Sequence, residues 1–337
     1  MRIGIAFDLA PTVKPTDGPD DRFEEFDKPE TVEVLAGILR GEGHEVVLLG
    51  DGRDFLSRVL AEPPDFVWNL AEGEGVGRCR EGRVPAALEM LGIPYSGSDP
   101  LTLSASLDKP VAKRLVADVV AVPPGRAFEA TDDPALALRS GALGRGPWIV
   151  KPAFEGSSKG IRQHSLVDTP DEAAALFRVL TRDYEQPVLV EEYIQGEEVT
   201  VGLVGNGPGL QVIGSMHVRS RRNDPRFVYS LETKRDWDEH VAYDTPPRLD
   251  PEVIKRIERS ARLAYQALGC RDVARIDFRV RDGVPVFLEA NPLPGLAPDW
   301  SDLVILANGY GLSHADLIRK ILHAALVRVG LEPRTER

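Results

Sequence analysis

The stretch from Ala274 to Leu296, ARIDFRVRDGVPVFLEANPLPGL, leaves few folds open. Ile276, Phe278 and Val280, then Val284, Val286 and Leu288, recur at the period of a half-buried strand, with Arg281-Asp282-Gly283 between the runs. This is an antiparallel hairpin. Its other face carries Arg275, Asp277, Glu289 and Asn291. Two carboxylates, an amide and a guanidinium on one sheet face are costly to bury unless something binds them. A Mg²⁺ ion holding a polyphosphate would satisfy them, because hard cations take oxygen ligands and substrate phosphates. A solvated charged face explains the pattern equally well. Parity bears on the choice. A two-residue Asp282-Gly283 turn pairs Arg281 with Val284 and sends Asp277 and Glu289 to opposite faces. A three-residue loop with Gly283 left-handed pairs Val280 with Val284, sets Arg275 opposite Glu289, and puts Asp277, Glu289 and Asn291 on one face. The three-residue loop is expected, since only that register builds a metal site.

The whole 337-residue chain has room for two or three domains. Its net charge of −12 speaks against a nucleic-acid or anionic-membrane surface. Cys79 and Cys270 stand far apart in no metal spacing, which argues against a zinc site or disulfide scaffold and fits a reducing cytoplasm. The opening MRIGIAFDLAP is too quickly broken to read as a signal peptide, and no later run is long enough to span a membrane.

Residues 2–7 read as a buried strand, 8–30 as an acidic, mobile loop, and 30–42 as a helix with Val34, Leu35, Ile38 and Leu39 on one face. Strands at 45–49 and 65–70 complete a parallel α/β unit, with a helix around 53–60 between them. A glycine-rich loop follows (residues 71–77), then a helix at 83–91 and a short strand at 93–96. The loop is no dinucleotide fingerprint, but such strand ends are where α/β sheets bind ligands. A helix over 107–118 puts Lys109 and Lys113 on one face. A helix over 133–144 precedes Trp148–Lys151, a strand that runs into Pro152-Ala153-Phe154-Glu155-Gly156-Ser157-Ser158-Lys159-Gly160. Small residues there let backbone N–H groups approach phosphate oxygens, without the Walker spacing. Further elements are expected at 170–182 (helix), 186–191 and 198–203 (strands), 204–215 (hairpin), 250–268 and 313–329 (helices), with 219–234 basic and irregular.

In this order the motifs resemble the ATP-grasp superfamily, and most of all the D-alanine–D-alanine ligases. They are Gly92-Ile93-Pro94-Tyr95-Ser96-Gly97-Ser98; Leu107-Asp108-Lys109 with Lys113; Val150-Lys151-Pro152 with Gly156-Ser157-Ser158 and Gly160; Glu191-Glu192-Tyr193-Ile194 with Gly196 and Glu198; Ala274-Arg275-Ile276-Asp277-Phe278; and Glu289-Ala290-Asn291-Pro292 with Pro294-Gly295. The resemblance implies an α/β fold: an N-terminal parallel α/β domain (1–105) and two α+β domains (106–190 and 191–330) that grip ATP between antiparallel sheets. It further implies an ATP-dependent carboxylate–amine ligase working through an acyl phosphate, with ATP and two Mg²⁺ (or Mn²⁺) as cofactors. Small carboxylate and amine substrates and a homodimer would be its partners. Lys109, Lys151 and Lys234 would meet the phosphates, and the Glu155, Gly156, Ser157, Ser158 loop would close over them. Glu191 and Ile194 would lie by the adenine and Glu198 by the ribose. Asp277, Glu289 and Asn291 would hold metal, while Arg275, Lys234 and Ser157 serve catalysis.

On the substrate side the chain departs from the family. Phe7-Asp8-Leu9-Ala10-Pro11 and an acidic insertion replace a glycine-rich strand end with Ser-x-Glu, and Glu24, Glu25 and Glu30 are the candidate substitutes. Asn69-Leu70 replaces His-Gly, Lys234-Arg235 replaces Lys-Tyr, and Trp300 stands where a serine is usual, with Ser301 one residue late. Arg78, Arg80, Arg83 and Arg235 are either solvated or clamp a carboxylate. Trp300 reads as a core aromatic rather than a wall for a larger nucleophile. Altered substrates are therefore expected; a genuine D-alanine–D-alanine ligase and a non-catalytic ATP-binding module are the alternatives.

Overall fold

A computed structural model describes residues 1–13, 18–222 and 224–332. Residues 14–17 of the expected acidic loop and residue 223 of the basic stretch lie outside them. The first unit is built from β1 (Arg2–Ala6), α1 (Pro29–Gly41), β2 (Glu45–Gly50), α2 (Gly52–Ala61) and β3 (Phe66–Asn69). The three strands are parallel in the order β2-β1-β3. Leu35 and Leu39 of α1 pack on the sheet, whereas Val34, expected beside them, faces solvent. Residues 93–96 contribute only a bridge, Val67 to Tyr95, in place of a strand.

The helix expected over 107–118 is in fact two, and the break positions a lysine. α3 (Arg83–Leu91) ends at left-handed Gly92, and α4 (Pro100–Leu107) then abuts α5 (Lys109–Val116). Asp108 accepts from Val111 N at 3.0 Å, and Pro110 suits a first turn, so α5 restarts at Lys109.

The second unit holds β4 (Gly125–Phe128), α6 (Pro134–Arg139), β5 (Trp148–Pro152), β6 (Leu166–Val167), α7 (Pro170–Tyr184) and β7 (Val188–Glu192), with an antiparallel sheet in the order β4-β7-β5-β6. α6 is shorter than expected because Gly141 takes a left-handed φ of 76°. A reciprocal Thr169–Glu172 box starts α7, whose Phe177 and Leu180 bury against the sheet.

The third unit contains β8 (Glu197–Val204), β9 (Gln211–Ser220), α8 (Leu231–Arg235), α9 (Trp237–His240), β10 (Val241–Asp244), α10 (Pro251–Leu268), β11 (Val273–Arg281), β12 (Val284–Asn291), α11 (Asp302–Gly309) and α12 (His314–Arg328). Its antiparallel sheet runs β10-β9-β8-β11-β12. α10 buries Ile257, Ala261, Ala264, Tyr265 and Leu268 against β8 and β11. α12 returns to the first unit, where Leu317, Ile318 and Ile321 share a core with Ile3, Ile5 and Trp68. α8 gives order to the end of a stretch expected to be irregular, because Ser230 caps it. Among the described residues no helix is long and apolar enough to cross a membrane.

Gly196 shows how tightly the sheet is closed. Its φ is +144°, and an added Cβ would lie 1.9 Å from the Val280 carbonyl oxygen. Gly196→Ala should lower stability by about 2 kcal/mol or more, since backbone strain and a backbone clash add. Urea unfolding measures this; an unchanged midpoint would contradict the packing.

Candidate active site

The hairpin corrects the expected turn and keeps its consequence. Asp282 (φ 53°) and Gly283 (φ 72°) form a two-residue turn, so Arg281 pairs with Val284. Parity alone would then separate Asp277 from Glu289. The register shifts between Asp277 and Phe278, however: Phe278 pairs with Phe287 and Asp277 with Glu289, so Leu288 is an extra residue in β12. This bulge returns the two carboxylates to one face, directly opposite each other. Arg275 consequently faces Asn291 and not Glu289. The bulge also frees the Leu288 carbonyl, which accepts from Lys113 Nζ at 2.6 Å.

The faces of β5, β7, β8, β11 and β12 line a cleft of about 750 Å³ between the two antiparallel sheets. Lys151, Ser158, Glu191, Ile194, Glu198, Lys234, Arg275, Asp277 and Glu289 all lie on it. Glu191 is sandwiched between Lys151 (2.8 Å) and Lys113 (3.1 Å). Burial and the neighbouring Lys151 drive the Lys113 ammonium down to about 8, against the pull of Glu191. Glu198 pairs with Arg279 at 2.8 Å, and burial raises the Glu198 carboxyl. Lys109 Nζ lies 3.4 Å from Glu289 and donates to the Glu155 carbonyl. Lys234 sits 4.7 Å from the Tyr229 ring centre and makes no ion pair among the described residues.

Arg275 is more entangled than expected. It binds Asp277 at 2.9 Å and Asp302 at 3.0 Å, while Asp277 also accepts from Thr200 and from Asn291 Nδ2 (3.2 Å). Burial pushes the Asp277 carboxyl up despite Arg275. Glu289 resists the same burial, because Lys109 and Lys151 hold it at about 2. Two opposed carboxylates and an amide oxygen form an all-oxygen donor set that fits a hard divalent cation. Thr200, Asp302 and Arg279 were missed in the sequence. Strand parity carried a signal for two of them, since Thr200 pairs with Asp277 and Glu198 with Arg279.

The loop over 155–160 is strained and strapped. Ser157 (φ 46°) and Ser158 (φ 60°) are both left-handed, a costly conformation for side-chain-bearing residues. Ser158 Oγ donates to the Tyr229 carbonyl at 3.0 Å. The acidic segment supplies the strap: Glu25 accepts from Gly156 N, and Asp21 accepts from Gly160 N (2.9 Å) and Tyr184 OH (2.8 Å).

The comparisons follow this geometry. A family model described as "D-ala D-ala ligase C-terminus" matches residues 130–323. A D-alanine–D-alanine ligase of Geotalea uraniireducens is 32% identical over 295 residues, covering 86% of this chain and 88% of that one. One of Gloeobacter violaceus is 32% identical over 313 residues, covering 89% and 97%. The chain belongs to the D-alanine–D-alanine ligase family. Among solved structures, a D-alanine–D-alanine ligase of Bacillus anthracis complexed with ATP superposes with a TM-score of 0.75 at 24% identity, covering 98% of this chain and all (100%) of that one. A VanG D-Ala:D-Ser ligase of Enterococcus faecalis gives 0.67 at 22%, covering 96% and 99%. Both show the ATP-grasp fold. Membership carries with it ATP and a divalent metal, and small carboxylate and amine substrates.

Where this ligase-family chain departs from its relatives, its cations are already taken. Arg80 is buried and bound to Glu25 (2.9 Å), Glu155 (3.1 Å) and the Phe154 carbonyl (2.6 Å). Lys159 joins Glu25 and Glu155 in the same network. Arg78 pairs with Asp108 at 2.7 Å, and Arg235 with Asp20 and Glu24, both at 2.7 Å. Arg83 Nη1 donates to the Glu74 carbonyl at 2.7 Å. Of the two readings left open, solvated or clamping a carboxylate, Arg78, Arg80 and Arg235 show a third arrangement, ion pairs within the chain. Of the candidate acids, Glu25 is spent on Arg80 and Lys159, Glu24 on Arg235, and Glu30 is exposed in the first turn of α1. Trp300 is no core residue: it is 50% exposed and borders a hollow with Lys234, Arg275, Tyr229, Ser301 and Asp302. Ser301 precedes α11 and accepts from Ala297 N at 3.0 Å. Ser157 borders that hollow, with no side-chain hydrogen bond among the described residues.

Proposed function

We propose that the chain activates a small carboxylic acid with ATP and joins it to an amine, with division of labour as follows. Lys109, Lys151 and Lys234 meet the ATP phosphates, the 155–158 loop covers them, Glu191 and Ile194 border the adenine, and Glu198 takes the ribose. Asp277, Glu289 and Asn291 would hold two divalent ions, Mg²⁺ or Mn²⁺. Bound there, such ions neutralise phosphate charge and orient the γ-phosphate. The carrying observation is the convergence of Lys151, Lys234, Arg275 and two opposed carboxylates on one cleft between two antiparallel sheets, with Lys109 in the adjoining hollow that shares Lys234, Arg275 and Glu289.

A carboxylate is a poor electrophile. Its oxygen attacks the γ-phosphorus, ADP leaves, and an acyl phosphate forms. Lys109 and Lys151, held by the buried Glu289 and Glu191, cannot move away as charge shifts, so they act by positioning and electrostatics. The amine nitrogen then attacks the acyl carbon, losing a proton as inorganic phosphate departs with the bonding pair. Arg275, anchored through Asp277 and Asp302, is placed to stabilise the oxyanion between those events. The strapped loop keeps water from the acyl phosphate. The three units form domains near 1–105, 106–190 and 191–330, with the second boundary moved past Glu192 because β7 spans Val188–Glu192. A homodimer in the cytoplasm remains part of this reading.

ADP release and hydroxylamine trapping across a panel of acids and amines test the assignment. Trapped acyl hydroxamate supports it, and turnover with D-alanine alone would identify a D-alanine–D-alanine ligase, as its relatives are named. A phosphorylated product inert to hydroxylamine would indicate a kinase, and tight ATP binding without turnover a non-catalytic module. Lys151→Ala should raise the KM for ATP at least about tenfold, more than 1.4 kcal/mol, with a smaller effect on kcat. A fall in kcat with the KM for ATP unchanged would instead place the Lys151 contact in the transition state only.

A further inference from the structure

Tyr229 touches three parts of the site at once, although it belongs to none of the motifs that marked the ATP cleft. It lies in the stretch between β9 and α8, and that stretch is pinned on both sides of it. The Phe227 carbonyl accepts from Tyr193 OH at 2.9 Å and from Arg279, and Leu231 N donates to the Ile161 carbonyl at 3.0 Å. Tyr229 borders both the ATP cleft and the hollow that holds Trp300. Its carbonyl accepts from Ser158 Oγ of the 155–160 loop. Its ring lies under the Lys234 ammonium, 4.7 Å away. Its hydroxyl donates to Asp302 Oδ1 at 3.0 Å and meets the Tyr243 hydroxyl at 2.7 Å. Asp302 in turn accepts from Arg275 on its second oxygen, also at 3.0 Å.

Each contact answers a problem that the site poses. Lys109 and Lys151 are held by carboxylates, which offset their charge. Lys234 has no such partner among the described residues. An aromatic face attracts an ammonium without cancelling its charge, so Lys234 is held and still fully cationic. Lys234 and Arg275 both line the cleft and the two hollows that open from it, the junction between a terminal phosphate and a reacting carboxyl. Arg275 has two acidic partners, but Asp277 is the one assigned to metal. Asp302 is therefore the anchor left to orient the guanidinium. Asp302 is 8% exposed, and a carboxylate bridging a guanidinium and a hydroxyl cannot turn freely. Burial and the neighbouring Asp302 push the Tyr229 hydroxyl well above its ordinary range, so it stays a donor.

We propose that Tyr229 is the positioning residue for both cations: its ring places Lys234, its hydroxyl places Arg275 through Asp302, and its main chain latches the 155–160 loop. The Arg275 half rests on the ligase reading for its reaction. The Lys234 half is tested on nucleotide binding alone.

Three variants of the full chain separate the parts. Tyr229→Phe keeps the ring and loses the hydroxyl, Tyr229→Leu loses both, and Asp302→Asn weakens the anchor of Arg275. The first measurement is calorimetric binding of ADP and of a non-hydrolysable ATP analogue, each with Mg²⁺. The ratio of the two Kd values reports what holds the terminal phosphate. Tyr229→Leu should shift that ratio at least fivefold toward ADP, and Tyr229→Phe less than twofold. A general packing defect weakens both nucleotides alike, so an unchanged ratio in Tyr229→Leu sinks the Lys234 half. Tyr229→Met gives the same reading if Tyr229→Leu does not fold. The second measurement is kinetic. Tyr229→Phe should lower kcat for amide formation about tenfold, with the KM for ATP and the yield of hydroxylamine-trapped acyl phosphate within twofold of wild type, because Arg275 serves the later step. In an Asp302→Asn background the same substitution should change kcat less than twofold. Additive losses, or equal loss of hydroxamate and amide, overturn the Arg275 half. If the wild type forms no hydroxamate from any acid, the ligase reading fails, and the nucleotide ratio still decides whether Tyr229 places Lys234.

Discussion

Glu289→Ala should lower kcat by about 10³-fold or more, because it removes one of the two opposed carboxylates proposed to hold metal and leaves Lys109 buried without its partner. Glu289→Gln separates the two effects: it keeps shape and hydrogen bonding but loses the charge, so it should be nearly as inactive while folding normally. Its Mg²⁺ dependence should shift to higher concentration. Lys109 and Lys151 hold the Glu289 carboxyl at about 2, so it stays ionised through the working pH range and should contribute no acid limb above pH ~4. Normal turnover in Glu289→Gln would overturn the metal assignment.

The second large effect concerns stability. Arg80→Ala should cost about 3–5 kcal/mol in urea unfolding, the usual penalty for breaking a buried ion network by removing one partner. Glu25 and Glu155 would be left sharing Lys159 alone, and the Phe154 carbonyl would lose its donor. Burial pushes Glu25 up, but Lys159 and Arg80 outweigh it and hold the carboxyl at about 2. Its folded pKa is therefore depressed. That contribution to stability is complete above the unfolded carboxyl range near 4.5 and is lost as pH falls toward 2. Wild-type melting temperature should fall across that window, and Arg80→Ala should flatten the fall. A loss under about 1 kcal/mol, as for an exposed pair, would mean that the network does not hold the 155–160 loop. Restoring neutrality with Arg80→Met/Glu25→Leu should recover part of the loss, as a double-mutant cycle would show.

The two halves of the site were unequally legible. Strand faces and caps are local and gave the hairpin with Asp277 and Glu289, whereas Lys109, Lys151, Glu191 and Glu198 joined it only through the ordered motifs that resemble the family. The β11–β12 hairpin marks the edge of that method. Reading it by parity required a three-residue loop; the chain uses a two-residue turn and inserts Leu288. A bulge changes facing by one residue and has no composition of its own, so alternation alone cannot report it. The arginines illustrate a different gap. Arg80 reads as a surface cation until Glu25, 55 residues earlier, and Glu155, 75 later, close around it.

By itself the sequence determined the parallel first unit and the antiparallel hairpin, because side-chain period and capping act over a few residues, while the ATP and metal roles came from the resemblance of its ordered motifs. Tertiary structure decided which charges are spent. A salt bridge depends on separations of a few ångströms between segments remote in the chain, and its worth depends on burial. Only the fold shows that Arg78, Arg80 and Arg235 are each paired with acids from remote segments.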